Sequence, residues 1–459
     1  MENITIEACA AEGKALTHWN GVVVFVPFAV PGDVVDIRVT KKSKNYYEGF
    51  VERIVTPSKD RLEPFCQHFG VCGGCKWQPL PYPMQLEAKR QQVYDQLVRI
   101  GHLNVPEIRP TIPSDKIQYY RNKLEFTFSS KRWLLKDEDI ESVPENDRMG
   151  LGFHVGKFFD KVLDIKHCYL QKDPSNDIRL FIKKYAVENG LDFFDIRQNV
   201  GYVRNMFIRT TDTGDLMVIM CFFYENREDR EKMLDAIAEA FPQITSLYYI
   251  INNKLNDSIG DQECILYKGE PTIRETMESL TFRIGPKSFY QTNSEQAYKL
   301  YLVVRDFAEL TGNEIVYDLY TGTGTIAQFV SGKAAKVVGI EYVPEAIEDA
   351  KVNAAGNGIT NCEFFAGDMK DVLRRDFINE HGQPDVIILD PPRAGIHPDV
   401  AKVILEASPA RMVYVSCNPA SQARDLALFA DKYDITAVQP VDMFPHTQHV
   451  ENVCALRLR

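Results

Sequence analysis

Apolar and polar positions change rhythm along this chain, and each rhythm predicts a different kind of structure. Over residues 1–59 they alternate in short runs: Gly21-Val22-Val23-Val24-Phe25-Val26, Val34-Val35-Asp36-Ile37-Arg38-Val39 and Tyr47-Glu48-Gly49-Phe50-Val51, with Pro31-Gly32-Asp33 as a turn. A period of two belongs to half-buried strands, and several short ones at this spacing predict a small β-barrel. From Pro83 to Gly101, Leu86, Val93, Leu97, Val98 and Ile100 read as one amphipathic helix stopped by glycine. Alternation returns at Tyr119-Tyr120-Arg121-Asn122-Lys123-Leu124-Glu125-Phe126 and continues to about residue 270, with one acidic helix near 225–240. That mixture predicts an α+β middle domain. The acidic, Pro-containing stretch 136–148 reads as an exposed loop.

Around residue 285 the texture changes again. A helix is expected from about 294 to 310, followed by short, largely apolar runs: Ile315–Leu319, Val337–Glu341, Cys362–Asp368, Asp385–Asp390 and Met412–Val415. Such runs read as parallel strands buried on both faces. The whole is then a multidomain α/β chain with a Rossmann-like domain last. The expected boundaries are 1–59 for the barrel, 60–82 with 113–280 for the middle domain, and 83–112 with 281–459 for the α/β domain.

Ligands of open α/β sheets bind at the carboxyl ends of the strands, so the residues just past each run carry the functional reading. The first strand leads into Tyr320-Thr321-Gly322-Thr323-Gly324-Thr325, whose glycines admit a ligand close to the backbone. This spacing also fits a dinucleotide fingerprint and is ambiguous alone. Glu341 ends the second strand, where it can accept from ribose hydroxyls, and Asp368 ends the third, where it can accept from an adenine amine. Asp390 ends the fourth and is locked by Pro391-Pro392. A dehydrogenase gives no reason for such a carboxylate, whereas methyl transfer to a planar base does, because a rigid turn holds the substrate edge against the donor. Cys417 ends the fifth strand, where Asn418-Pro419 stops it, and Glu451 stands just before a last apolar strand from Val453 to Leu458.

Cys66, Cys72 and Cys75 fall within ten residues beside flexible glycines, a strong ligand pattern, and Cys168 is the best fourth thiolate. Their spacing leaves zinc and an iron–sulfur cluster both open. Cys221 and Cys264 read as structural. The loop holding Lys41, Lys42 and Lys44 beside Tyr46 and Tyr47 suits RNA, with phosphates on lysines and bases on rings. Arg121 and Lys123 project to one side of their strand, where they would meet phosphates or a base. The 45% hydrophobic and 25% charged fractions are those of a globular protein, and the net charge of −11 argues against whole-surface nucleic-acid binding while leaving room for a local basic groove. No apolar run reaches the ~18 residues of a membrane span. The N-terminus lacks the regions of a signal peptide, which favours the cytoplasm and thiols over a disulfide framework.

Gln291, the turn from Asp318 to Ala327, Asp390-Pro391-Pro392-Arg393-Ala394-Gly395, Ser416-Cys417-Asn418-Pro419 and Phe444-Pro445-His446-Thr447-x-His449-Val450-Glu451 together resemble the RNA (uracil-5-)-methyltransferase family. The nearest branch is that of the bacterial 23S rRNA enzymes with a TRAM domain and a 4Fe–4S cluster. The resemblance implies S-adenosyl-L-methionine and the cluster as cofactors, RNA (23S rRNA first) as partner, and a monomer without an obligate protein partner. It implies Cys66, Cys72, Cys75 and Cys168 as cluster ligands, which chooses iron–sulfur over zinc. Gln291, Tyr320, Thr325, Glu341 and Asp368 would contact the donor, and Asp390 would hold the uracil edge next to it. Cys417 would be the nucleophile and Glu451 the base that removes a proton. Thr325 and Asp368 stand where many relatives carry Asn. The tRNA branch is similar in the catalytic part but lacks the barrel and the cysteines, so their presence favours rRNA. The competing readings are a radical S-adenosylmethionine enzyme, a nicotinamide dehydrogenase, and an RNA-binding protein with an inactive catalytic domain.

Overall fold

The computed structural model describes every residue except 136, 137, 140 and 157. The reading of 136–148 as an exposed loop lies partly outside the described residues; within them, Val143 is buried and Glu138 pairs with Arg132 at 2.6 Å.

Residues Lys14–Trp19, Val22–Pro27, Val34–Lys42 and Tyr46–Thr56, with the short strands Ile4–Thr5 and Ala8–Cys9, form one six-stranded sheet. Its core is Ile4, Ile6, Ala15, Val24, Val26, Val35 and Ile37. The strands are longer than the alternation implied. The first of the two strands runs to Lys42 and the next begins at Tyr46, so Lys41 and Lys42 stand on the sheet and Lys44 in the short turn between the strands.

A second sheet has seven strands in the order Ile265–Gly269, Ser246–Ile251, Leu216–Phe222, Val203–Thr210, Lys123–Ser129, Gly150–His154 and Val162–Asp164. Its two central strands are buried at every position. Met206, Ile208, Val218 and Met220 face helices Ser175–Glu188 and Arg227–Ala240 through Ile178, Ile182, Leu234 and Ile237. Phe207, Met217, Ile219 and Cys221 face the other way, into a core shared with Leu300 and Val316 of the last domain. The middle domain is therefore sandwiched rather than free-standing. The helix Ser175–Glu188 corrects the sequence reading, which expected a single helix in this region; its Phe181, Tyr185 and Val187 are residues that favour strands.

The third sheet orders its strands Cys362–Ala366, Lys336–Glu341, Ile315–Leu319, Val386–Leu389, Arg411–Ser416, Glu451–Leu458 and Tyr433–Val441. The first five are parallel, and Glu451–Leu458 runs antiparallel to both its neighbours. Helix Ser294–Ala308, capped by Asn293, follows the expected limits closely. Helix Tyr82–Tyr94 packs Val93, with Leu97 just beyond it, into the same core as Tyr317 and Tyr414 of this sheet. Its buried positions are Gln85, Lys89 and Val93, and Ile100 is exposed, so the apolar stripe read from the sequence is only partly the buried one. No helix among the described residues is long and apolar enough to cross a membrane.

Candidate active site

The sheet register brings the candidate catalytic residues to one edge. Ser416 pairs with Asn452, so one further step of the antiparallel ladder sets Cys417 opposite Glu451. Val441 pairs with Glu451 from the other side. Leu389 pairs with Leu319 and Tyr414, so Asp390 and Tyr320 emerge at that same edge. A cavity of about 1230 Å³ opens there, lined by Asp390, Cys417 and Glu451 at one end and by Tyr320, Gly322 and Glu341 at the other.

Local structure fixes each group. Asn418 caps the helix Pro419–Phe429 through Ala420 N–H at 3.2 Å, and its side-chain amide donates to the Arg393 carbonyl at 3.2 Å. Cys417 is thus pinned between strand and helix. Gly395, at φ +84°, lies against Asp425, where an added Cβ would come within 2.2 Å of the carboxylate. Asp425 in turn accepts from Ile396 N–H at 2.9 Å and from Tyr414 at 2.7 Å, which anchors the segment after the two prolines. The Arg393 guanidinium donates to His449 Nδ1 at 2.9 Å, and burial holds that imidazole neutral, with its pKa down to about 4.

The site's electrostatics run in one direction. Burial, and then the neighbouring carboxylate of Asp390, push Glu451 well above the usual carboxylate range. Burial and Asp318 push Asp390 up to about 7. The Cys417 thiol is raised by burial and by Glu451, with Arg393 opposing. Arg393 lines the cavity and is the cation beside this cluster, a role the sequence reading quoted in its motif but did not assign.

At the other end the glycine turn behaves as a ligand cradle. Glu341 accepts from Gly322 N–H and Val343 N–H, each at 3.1 Å, leaving further lone pairs toward the cavity. A Cβ at Gly322 would meet nothing within 4 Å, whereas one at Gly324 would strike Ala350 and Phe364 at 2.9 Å. The first glycine keeps room beside the ligand and the second permits close packing. Asp318 braces the turn by accepting from Thr321 at 2.5 Å and Ala327 N–H at 3.0 Å. Gln291 and Thr325 also line the cavity. Asp368 does not; it pairs with Lys370 at 3.1 Å and caps the following turn. Cys264, read as structural, lies on the cavity wall, while Cys221 is in the core.

A second cavity, about 290 Å³, is lined by Cys66, Cys72, Cys75 and Cys168. Backbone turns shape its rim: Phe69 N–H donates to the Cys66 carbonyl at 3.0 Å and Cys72 N–H to the His68 carbonyl at 2.9 Å. Burial pushes Cys72 up to about 11 and Cys75 up to about 12, with the thiols raising one another. Among the described residues no three His, Cys, Asp or Glu side chains converge as the ligands of one metal ion. The four thiols line one cavity together with His68, His154 and His167.

Arg121 lines both cavities, its guanidinium over the Phe444 ring at 5.4 Å. Lys123 lies elsewhere, over Phe207, and burial lowers it to about 8. Lys41 and Lys42 stand exposed over Tyr46 and Tyr47 at 5.4 and 5.7 Å, and Lys44 is exposed beside them.

Two family models match the chain: one described as tRNA (Uracil-5-)-methyltransferase over residues 207–459, and one described as TRAM domain over residues 2–51. A Porphyromonas gingivalis protein named uncharacterized RNA methyltransferase is 58% identical over 455 residues, covering 97% of this chain and 98% of its own. A Chlorobaculum tepidum protein of the same description is 37% identical over 443 residues, covering 95% and 91%. The solved structure of Pyrococcus abyssi tRNA (uracil-54, C5)-methyltransferase in complex with S-adenosyl-L-homocysteine is similar at TM-score 0.77 and 29% identity, covering 99% of this chain and 100% of that one.

Proposed function

The chain belongs to the tRNA (Uracil-5-)-methyltransferase family, and we propose that it methylates C5 of a uridine through a covalent adduct on Cys417, with 23S rRNA as substrate on the strength of the set Cys66, Cys72, Cys75 and Cys168 beside the N-terminal domain. The observation that carries this reading is the meeting of Cys417, Asp390 and Glu451 in one cavity with the Gly322–Glu341 cradle.

Uracil C5 is too weakly nucleophilic to take a methyl group directly, and covalent addition divides the step. The Cys417 thiolate bonds to C6, and the C5=C6 electron pair becomes an enolate. C5 then attacks the methyl carbon of the sulfonium donor, and S-adenosylhomocysteine leaves with the electron pair of the broken bond. Glu451 takes the remaining C5 proton. The C5=C6 bond reforms and expels the Cys417 thiolate. Asp390 accepts from the uracil N3–H and holds the ring against the donor. The target base must leave its stack to enter, at a cost of a few kcal/mol, and the basic faces of the barrel and Arg121 would offset this through the flanking RNA.

S-adenosylmethionine would be held by Glu341 at the ribose, Gly322 and Tyr320 along the turn, and Gln291 and Thr325 beside the donor group; the sulfonium supplies the electrophilic methyl. Asp368 would reach the adenine only after releasing Lys370. Cys66, Cys72, Cys75 and Cys168 would hold a 4Fe–4S cluster that supplies no redox chemistry to a redox-neutral transfer and ties residues 66–75 to the segment around Cys168.

A second reading, tRNA as substrate, rests on a specific observation. The Pyrococcus abyssi tRNA enzyme matches 99% of this chain, barrel segment included. A barrel therefore does not by itself argue for rRNA.

The test is purified protein with methyl-labelled S-adenosylmethionine and unmodified 23S rRNA or tRNA in parallel, followed by nucleoside analysis. Label in 5-methyluridine of rRNA only, absent with Cys417→Ala, is the expected result. Label in tRNA moves the substrate to the second reading, and label that persists in Cys417→Ala removes the covalent step.

A further inference from the structure

The loop between Val441 and Glu451 is held from outside its own sheet. Five consecutive carbonyls accept from different parts of the chain. Asp442 C=O takes the Gln296 amide at 2.8 Å, and Met443 C=O takes the Asn293 amide at 3.0 Å. Phe444 C=O takes the Lys89 ammonium at 3.1 Å, and Pro445 C=O takes the Tyr120 hydroxyl at 3.0 Å. His446 C=O takes Lys76 N–H at 2.8 Å and Trp77 N–H at 3.0 Å, immediately after Cys75.

At the centre is an ion pair that the proposed reaction does not use. Lys89, from helix Tyr82–Tyr94, pairs with Asp442, and both side chains are 0% exposed. Asp442 also accepts from the Tyr82 hydroxyl at 2.8 Å and from Phe444 N–H at 3.0 Å. A buried ion pair adds little stability over apolar residues of equal size, yet separating its partners strands a charge in the interior. The loop therefore cannot swing away while Lys89 stays in place. Apolar side chains would fill the same volume without that directional constraint.

We propose that Lys89 is a positioning residue for Glu451: through Asp442 and the Phe444 carbonyl it fixes the loop that sets the Glu451 carboxyl against the reacting carbon. This rests on the reading of Glu451 as the base that takes the C5 proton. Misplacing that base leaves addition and methyl transfer intact but blocks release, so a methylated enzyme–RNA adduct accumulates.

The variant Lys89→Met with Asp442→Asn removes the pair without leaving an unpaired charge. Its turnover is expected to fall about 100-fold, the scale of a general-base contribution, while KM for RNA and for S-adenosylmethionine stays within about threefold, as expected when ground-state binding is retained. An adduct stable to SDS and carrying the methyl label should appear, as it should for Glu451→Gln. Tyr82→Phe removes the hydroxyl that donates to Asp442 and accepts from Ser114 N–H at 2.7 Å, and should give the same adduct with about a fivefold loss, the scale of a lost hydrogen bond; it carries the test if the double variant does not fold. Wild-type turnover in the variants overturns the proposal. So does a joint fall of melting temperature, donor binding and rate with no adduct. Wild-type protein that forms no 5-methyluridine overturns the functional reading itself, and the positioning role with it.

Discussion

The cavity around Cys66, Cys72, Cys75 and Cys168 and the cavity around Cys417 lie on either side of Arg121, which lines both. In the first, four thiols line the space with three histidines and Arg121, and with no Asp or Glu among the described lining residues. Burial and mutual repulsion oppose the thiolate there, and only a bound cationic centre would reverse that balance. In the second, the Cys417 thiol stands with the Asp390 and Glu451 carboxyls and the Arg393 guanidinium at the ends of strands, facing a cavity large enough for a nucleotide and a donor, with Cys264 elsewhere on its wall. The same side chain thus reads as ligand or nucleophile from its company and not from its own burial.

The sharpest way to break that contrast is to remove one thiol from the first cavity. Structural metal sites contribute on the order of 10 kcal/mol to folding. Cys66→Ser is therefore expected to lose bound iron, to expose residues 60–82 to protease and to lower the denaturation midpoint substantially. Cys417→Ser should leave iron content and midpoint unchanged. Iron assay of anaerobically purified protein, with denaturation of both variants, makes the comparison. Iron-free wild type, with Cys66→Ser as stable as its parent, would reduce the first cavity to four buried thiols.

A smaller effect separates the carboxyls. In the proposed mechanism Asp390, pushed up to about 7, and Glu451, pushed well above its ordinary range, both act as carboxylates, and the raised Cys417 thiol acts as thiolate. Each group holds its proton to higher pH than usual, and each must lose it to act. The rate therefore rises with pH across neutrality, by about tenfold per unit or more on the acid side, since one required ionisation gives tenfold and each further one steepens it. Single-turnover rates measured across that range would check it, and a flat profile would show that none of the three ionisations limits the reaction.

Much of this site was legible before any coordinates. Asp390 and Cys417 each stand just past an apolar run, and the carboxyl ends of parallel strands share one edge; Glu451 reaches that edge because its strand runs antiparallel, which the sequence pattern does not state. The strands of the N-terminal six-stranded sheet followed from period-two alternation. What escaped was whatever put polar residues in core positions. Gln85 and Lys89 occupy the buried row of helix Tyr82–Tyr94 at a spacing of four, yet a lysine reads as solvated unless its partner, here Asp442, far along the chain, is known. Arg393 escaped because its motif was noted for its prolines. Asp368 shows the converse: its place at a strand end marked it as a cofactor contact, but Lys370, two residues on, takes its carboxylate. Local pattern identifies which residues reach an edge, and the partners each one meets, near in sequence for Asp368 and distant for Lys89, decide which of them are free to act there.

The smallest expected effect lies outside both cavities, on the barrel face. Lys41 and Lys42 are exposed over Tyr46 and Tyr47 and are adjacent in sequence, but they are not equivalent. Lys41 donates to the Tyr46 hydroxyl at 3.2 Å and has Glu48 at 4.0 Å, so part of its charge is already answered within the protein. Each lysine that meets a phosphate contributes ~0.7–0.9 to the slope of log affinity against log salt. Lys42→Ala should lower that slope by about 1 and weaken binding of every RNA alike, and Lys41→Ala should do less. Neither should alter the rate at saturating RNA, because neither touches the cavity holding Cys417. RNA titrations at several salt concentrations, with wild type and both variants, decide it. Equal slopes in all three would take this face out of the RNA contact and leave the cavity rim, with Arg121 at its centre, as the place where the substrate's phosphates are met.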